Sequence, residues 1–155
     1  MTFHIRGLEA EPFAKLFHLD EAALKRLGAR RVVADAPDMY PCRIALKRVE
    51  EGEELLLLNH AHQTNPGSPY RSAGPIFVSR SARTGSYQGE LPPMLRDRLL
   101  SLRAYDANAF IVDAEVGEGG DVIGLIERFF DNPQVSHVDA HFARRGCFAA
   151  RIERA

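Results

Sequence analysis

The last third of the chain constrains the fold most. From residue 99 to residue 116, apolar side chains take every second position on both sides of a short break, Ala107-Asn108-Ala109. A period of two puts successive side chains on opposite faces of a sheet, so the segment reads as an antiparallel hairpin. With Asn108 in the left-handed region of a three-residue loop, the register follows. Leu100, Leu102, Ala104, Phe110, Val112, Ala114 and Val116 then share a buried face, and Arg103 stands opposite Asp113 on the other. The pattern returns over 135–142 and 147–153, which turn through 143–146. Pairing Phe142 with Phe148 places Val138, Ala140, Phe142, Phe148, Ala150 and Ile152 on one face. His137, Asp139, His141, Cys147 and Arg151 fall on the other, with Asp139 opposite Arg151. Between the hairpins, Val122, Leu125, Ile126, Phe129 and Phe130 follow the spacing of an amphipathic helix, predicting one over 122–130 that Asn132-Pro133 ends.

The earlier part is more mixed. Phe3 and Ile5 alternate in a first strand that Gly7 closes. Pro12 opens a short helix with Phe13, Leu16 and Phe17 on one face. Asp20 caps a second helix over 21–27, and Gly28 terminates it. Strands are expected over 31–35 and 42–46, the latter with Cys42, Ile44 and Leu46 on its apolar face. Pro92 and Pro93 introduce a short helix over 94–98. This order points to an α+β fold, a twisted, mostly antiparallel sheet with helices packed on one face. At 155 residues it is the size of one domain, 1–155.

Composition removes several function classes. Basic and acidic residues nearly cancel, 20 against 21, so no basic surface for nucleic acid shows in the totals. No apolar run approaches the roughly 20 residues that span a bilayer. The start of the chain alternates like a strand and carries no signal-peptide pattern, so a cytoplasmic protein with reduced Cys42 and Cys147 is expected. Gly117-Glu118-Gly119-Gly120 follows no nucleotide-binding pattern, and no motif calls for a cofactor.

The stretch 54–80 is where a site is expected. Apolar residues 55–58 and the segment Gly74-Pro75-Ile76-Phe77-Val78 read as buried strands. The loop expected between them, 58–73, carries His60, His62, Gln63, Asn65, Ser68, Tyr70, Arg71 and Ser72. A donor-rich loop between buried strands suits a small anionic ligand. Arg71 would anchor the anion by bidentate hydrogen bonds, with Tyr70, Ser68, His62 and Gln63 orienting it. Arg43 and Arg103 would line the floor. No catalytic motif accompanies these residues.

Three alternatives stand beside that reading. The first or last strand can offer an edge for pairing with a second copy, which would make a homodimer. His60, His62, His137 and His141, with Asp139, can supply metal ligands if the two groups meet, although they equally suit the solvated face of a sheet. Cys147, after Gly146 and near Arg144, Arg145 and His141, has the setting of a reactive thiol.

Six segments carry a resemblance: Pro41-Cys42-Arg43, His62-Gln63, Ser68-Pro69-Tyr70-Arg71, Gly74-Pro75-Ile76-Phe77, residues 100–106 (LSLRAYD) and Gly146-Cys147. In these, over essentially its whole length, the chain resembles a family of small bacterial proteins classified as a domain of unknown function. The resemblance implies a bacterial, cytoplasmic, single-domain protein and brings no activity or catalytic residue with it.

Overall fold

In chain order the elements are β1 (Phe3–Arg6), α1 (Glu11–Ala14), a 3-10 turn (Lys15–His18), α2 (Glu21–Arg26), β2 (Arg30–Val33), β3 (Pro41–Cys42) and β4 (Lys47–Arg48). There follow β5 (Glu54–Gln63), β6 (Ser72–Ser79), β7 (Ser86–Gln88), β8 (Leu99–Tyr105), β9 (Ile111–Glu118), α3 (Asp121–Asp131), β10 (His137–Phe142) and β11 (Phe148–Arg154). The computed structural model describes residues 2–155. Its strands form two mostly antiparallel sheets where one was expected: β7-β1-β11-β10-β8-β9 and β2-β5-β6-β3-β4. Only the short β3–β6 pairing among those described is parallel.

Each sheet has its own apolar core. In the first, Val122, Ile126, Phe129 and Phe130 of α3 pack with Leu100, Leu102, Ala104, Val138, Ala140, Ala150 and Ile152. Fully burying each large aliphatic or aromatic side chain contributes about 1.5–3 kcal/mol, so this packing dominates the stability of the α3 side. In the second, Phe17 and Leu24 from the early helices pack with Leu55, Leu56, Leu58, Ile76 and Val78. The helix ends follow the sequence expectation. Asp20 accepts from Ala23 N at 2.8 Å, and Gly28 adopts φ +70 just beyond α2.

The expected strand over 42–46 forms only at Pro41–Cys42, after which the chain makes a buried turn through Arg43, Ile44, Ala45 and Leu46. Leu46 sits at φ 57, a left-handed conformation that no strand contains. The turn persists because its carbonyls are taken up by neighbours. Leu46 N donates to Cys42 O, Leu8 N to Arg43 O, Gly85 N to Ile44 O and Met94 N to Leu46 O. Gly7 runs so close above it that a Cβ there would lie 1.8 Å from Ile44 O. The short helix expected over 94–98 is likewise replaced by turns, with Leu95 N bonded to Pro92 O, and Met94 and Leu95 enter the first core.

Both hairpins form, and both slip. In the first, the residue at positive φ is Ala109 (φ 63) rather than Asn108, because Asp106 Oδ1 accepts from both Asn108 N and Phe110 N and sets the turn itself. A bulge after Ala104 then puts Arg103 opposite Ala114 and Ala104 opposite Asp113. Ala114 and Val116 therefore share the face of Arg103 and Ser101, away from α3, and β9 lies at the sheet edge. Phe110, Val112 and Val116 are exposed, not buried as expected. In the second hairpin, Asp139 pairs with Arg151 as expected, but a bulge pairs Phe148 with His141 instead of Phe142. Phe148 thereby leaves the α3 face.

Candidate functional site

The polar face of the first sheet is buried at its centre, where the second sheet lies over it. Antiparallel partners share a face, so the register writes three rows across β8, β10 and β11. They are Tyr105–His137–Glu153, Arg103–Asp139–Arg151 and Ser101–His141–Phe148. Asp139 is 0% exposed and His141 1%. Facing them is the far end of β5, which runs on through Gln63 instead of stopping at Leu58. His60 and His62 are thus strand residues, two apart and on one side, and the connecting loop shortens to 64–71.

Two arginines join the sheets. Arg151 Nε donates to Asp139 Oδ1 at 2.8 Å and Nη2 to Oδ2 at 3.0 Å; Nη2 also reaches the His62 carbonyl at 2.9 Å. Arg43, 2% exposed on the buried turn, donates through Nε to Phe148 O (2.8 Å) and Nη1 to Pro41 O (2.7 Å). Its Nη2 meets Cys147 Sγ at 3.3 Å, and its guanidinium lies 5.1 Å from the Phe142 ring centroid. Burial lowers the Arg43 pKa, offset in part by the Cys147 and Cys42 sulfurs. No carboxylate appears among these contacts.

The histidines divide. His62 stacks on Phe148 (4.9 Å, 6°) and meets His141 edge-on at 5.0 Å. His60 sits between Phe13 and Phe148, at 6.4 and 6.0 Å. His137 stacks on Tyr105 at 5.2 Å and accepts from Gln63 Nε2 at 3.4 Å. Among the described residues, no group of three or more His, Cys, Asp and Glu side chains is arranged to hold a metal ion. The metal alternative needed such a convergence, and His137 stands apart from the His62–His141 pair.

Burial lowers the pKa of all four histidines. Neighbouring charge adds to this. Arg103 and Arg151 push His62 further down, and Arg103 and Arg43 do so for His141, while Asp139 is the carboxylate that raises both. Around this pair, Arg103 and Arg151 flank Asp139 in one row, Arg151 reaches the His62 carbonyl and Arg43 reaches Phe148 O. Among the described residues, Nδ1 and Nε2 of His62 and Nε2 of His141 are buried without a hydrogen-bond partner. His141 Nδ1 meets Gly146 O at 3.0 Å.

Of the expected ligand residues, His62, Gln63, Arg43 and Arg103 come together between the sheets. Ser68, Tyr70 and Arg71 lie on the 64–71 loop at its margin. Ser68 Oγ donates to Ala109 O (2.6 Å) and accepts from Tyr70 N (3.1 Å), fastening the loop to the β8–β9 turn. Tyr70 packs edge-on against Tyr105 and Phe110, at 6.3 and 5.9 Å. Arg71 is exposed. Tyr105, His137, Asp139, His141 and Arg151 also line this face. Of these, His137, Asp139, His141 and Arg151 were signalled by their shared strand face, and residue type alone did not tell that face from a solvated one. Two surface hollows, of about 540 and 350 Å³, lie elsewhere, the first beside Glu21 and Leu57 and the second beside Cys42 and Tyr87. None of the expected ligand residues lines either.

Neither strand proposed for self-association has a free edge: β1 lies between β7 and β11, and β11 between β1 and β10. No helix among the described residues is long and apolar enough to cross a membrane.

Comparison with curated proteins and with solved structures gives no match. A family match covers residues 39–154, from β3 through β11, and includes every side chain on the polar face between the sheets. The chain belongs to the family described as protein of unknown function (DUF1203).

Proposed function

We propose that this protein binds a small anionic ligand between its two sheets, at the His62–His141 pair. One observation carries the reading: Arg103 and Arg151 flank Asp139 in one row, Arg43 reaches Phe148 O beside His62, and His62 and His141 keep buried nitrogens without a partner among the described residues. Unsatisfied positive charge in a desolvated place favours an oxyanion, because guanidinium hydrogen bonds to oxyanions are the strong ones there. Arg103, partly exposed and bonded among the described residues to neutral hydroxyls alone, Ser101 Oγ at 3.4 Å and that of Tyr105, takes the anion. Arg43 adds charge from the floor, and His62 and Gln63 orient the ligand. Tyr70, Ser68 and Arg71 form the rim, with Arg71 drawing anions in from solvent. The ligand enters past Arg103 and His62, both partly exposed. Contacts such as Arg43 to Phe148 and Arg151 to His62 support one domain. Two free cysteines support a cytoplasmic setting. Isothermal titration with small carboxylates and phosphates tests the reading. Binding that weakens with salt and is lost in Arg103→Gln supports it; no binding by any anion refutes it.

Self-association is a second reading, now moved to β9. That strand is an edge with Val112 and Val116 38% and 52% exposed. Asp113, Glu115 and Glu118 on the same strand oppose close pairing of two copies. Sedimentation velocity at high concentration decides it, a monomer counting against.

A further inference from the structure

The hydrogen-bond polarity of the site narrows its ligand. Gly146 O has no hydrogen, so its 3.0 Å contact with His141 requires the proton on Nδ1. In the neutral imidazole this leaves Nε2 as a bare lone pair. That atom is buried, on a residue 1% exposed, and has no partner among the described residues. Burial lowers the His141 pKa, and the Arg103 and Arg43 charges add to it against the Gly146 hydrogen bond and the Asp139 carboxylate. The site therefore offers two opposite kinds of group. Arg103 and Arg43 only donate, and so ask for lone pairs on the ligand. His141 Nε2 only accepts, and so asks for a hydrogen. Against it stands His62, unpartnered at both nitrogens, which offers one group of each kind.

A fully ionised oxyanion with lone pairs alone answers the arginines and opposes His141 Nε2. Resting on the anion-binding reading above, we infer that the ligand is a small oxyanion carrying its own hydrogen-bond donor beside the charge. A 2-hydroxycarboxylate and a monoprotonated phosphate share this chemistry. The donor points at His141 Nε2, and the charged oxygens lie against Arg103.

Two matched pairs of probes test this at mildly alkaline pH: glycolate against methoxyacetate, and hydrogen phosphate against sulfate. Each pair keeps an anionic group and removes the donor. A site built around a buried acceptor rejects the analogue that lacks the donor, here by at least about tenfold in Kd. Preference in the first pair alone marks a hydroxycarboxylate site, and in the second alone a phosphate site. Equal affinities within both pairs overturn the donor inference and leave anion binding standing. No binding of any of the four overturns both. As a second readout, the ring ¹⁵N resonance of His141 Nε2 should shift with the preferred probe and stay with its partner. His141→Phe should flatten the preference, while Arg103→Gln weakens all four alike. Should His141→Phe not fold, the wild-type pairs and the ¹⁵N shift decide.

Discussion

The two faces of the first sheet are built from the same strands and obey opposite rules. On the α3 face, Leu102, Val138 and Ile152 meet Ile126 and Phe129, and each gains by leaving water regardless of its neighbour's chemistry. On the opposite face, Arg103, Asp139, Arg151, His137 and His141 are packed beneath β5, and each lowers its cost only through a specific partner. Burial on the first face is a source of stability. On the second it is a cost that hydrogen bonds partly offset, and nitrogens of His62 and His141 are left without a partner among the described residues.

Breaking the apolar face should have the largest effect. Phe129, 1% exposed, becomes a cavity in Phe129→Ala, expected to cost about 3–5 kcal/mol in urea unfolding. Anion affinity of the folded protein should stay as it was. Next is Asp139→Ala, which strips Arg151 of its carboxylate and loosens its hold on the His62 carbonyl. A buried pair broken on one side costs about 3–5 kcal/mol, and the low end applies because the Arg151 side chain keeps 34% of its surface exposed.

Acid should then separate the two faces without any mutation. His60, His62, His137 and His141 have folded pKa values below their ordinary 6.5, so between those two values the unfolded chain binds more protons. Stability attributable to the polar face is present above pH 6.5 and declines as pH falls beneath it. Chemical denaturation along a pH series should show this decline, and His62→Phe should reduce its slope. The smallest stability change is expected for Arg103→Gln. Its guanidinium is partly exposed and meets only neutral hydroxyls, Ser101 Oγ at 3.4 Å and that of Tyr105, so unfolding should move by less than about 1 kcal/mol while anion affinity falls at least about tenfold. A larger loss of stability would make Arg103 a structural residue.

Much of the architecture was legible because it follows from local periodicity. The α3 helix, both hairpins, the Asp20 cap and the Asp139–Arg151 pair each follow from spacing within a short segment. What failed, failed at irregularities. The Asp106 carboxylate chose the β8–β9 turn and moved Arg103 from Asp113 to Ala114. A bulge moved Phe148 off the apolar face and onto His62. The strand expected through Leu46 became a turn because Leu8, Gly85 and Met94 supply its hydrogen bonds from far along the chain. The partners of the 43–46 turn are far away in sequence, whereas the Asp106 turn is local and competed with the Asn108 one.

The candidate site divides in the same way. His62, Gln63, Arg43 and Arg103 were recognisable by residue type, and His137, Asp139 and His141 by their shared strand face. By itself the sequence determined which side chains point the same way, because alternation along a strand is a property of the backbone. Only the tertiary structure decided that the middle of that face, at Asp139 and His141, is out of reach of water. Two sheets meet there because Arg43 spans from its buried turn to Phe148 and Arg151 from β11 to His62. Burial is what lowers the pKa of four histidines and leaves nitrogens of two of them without partners among the described residues. It depends on what packs opposite, and no periodicity within a strand encodes that.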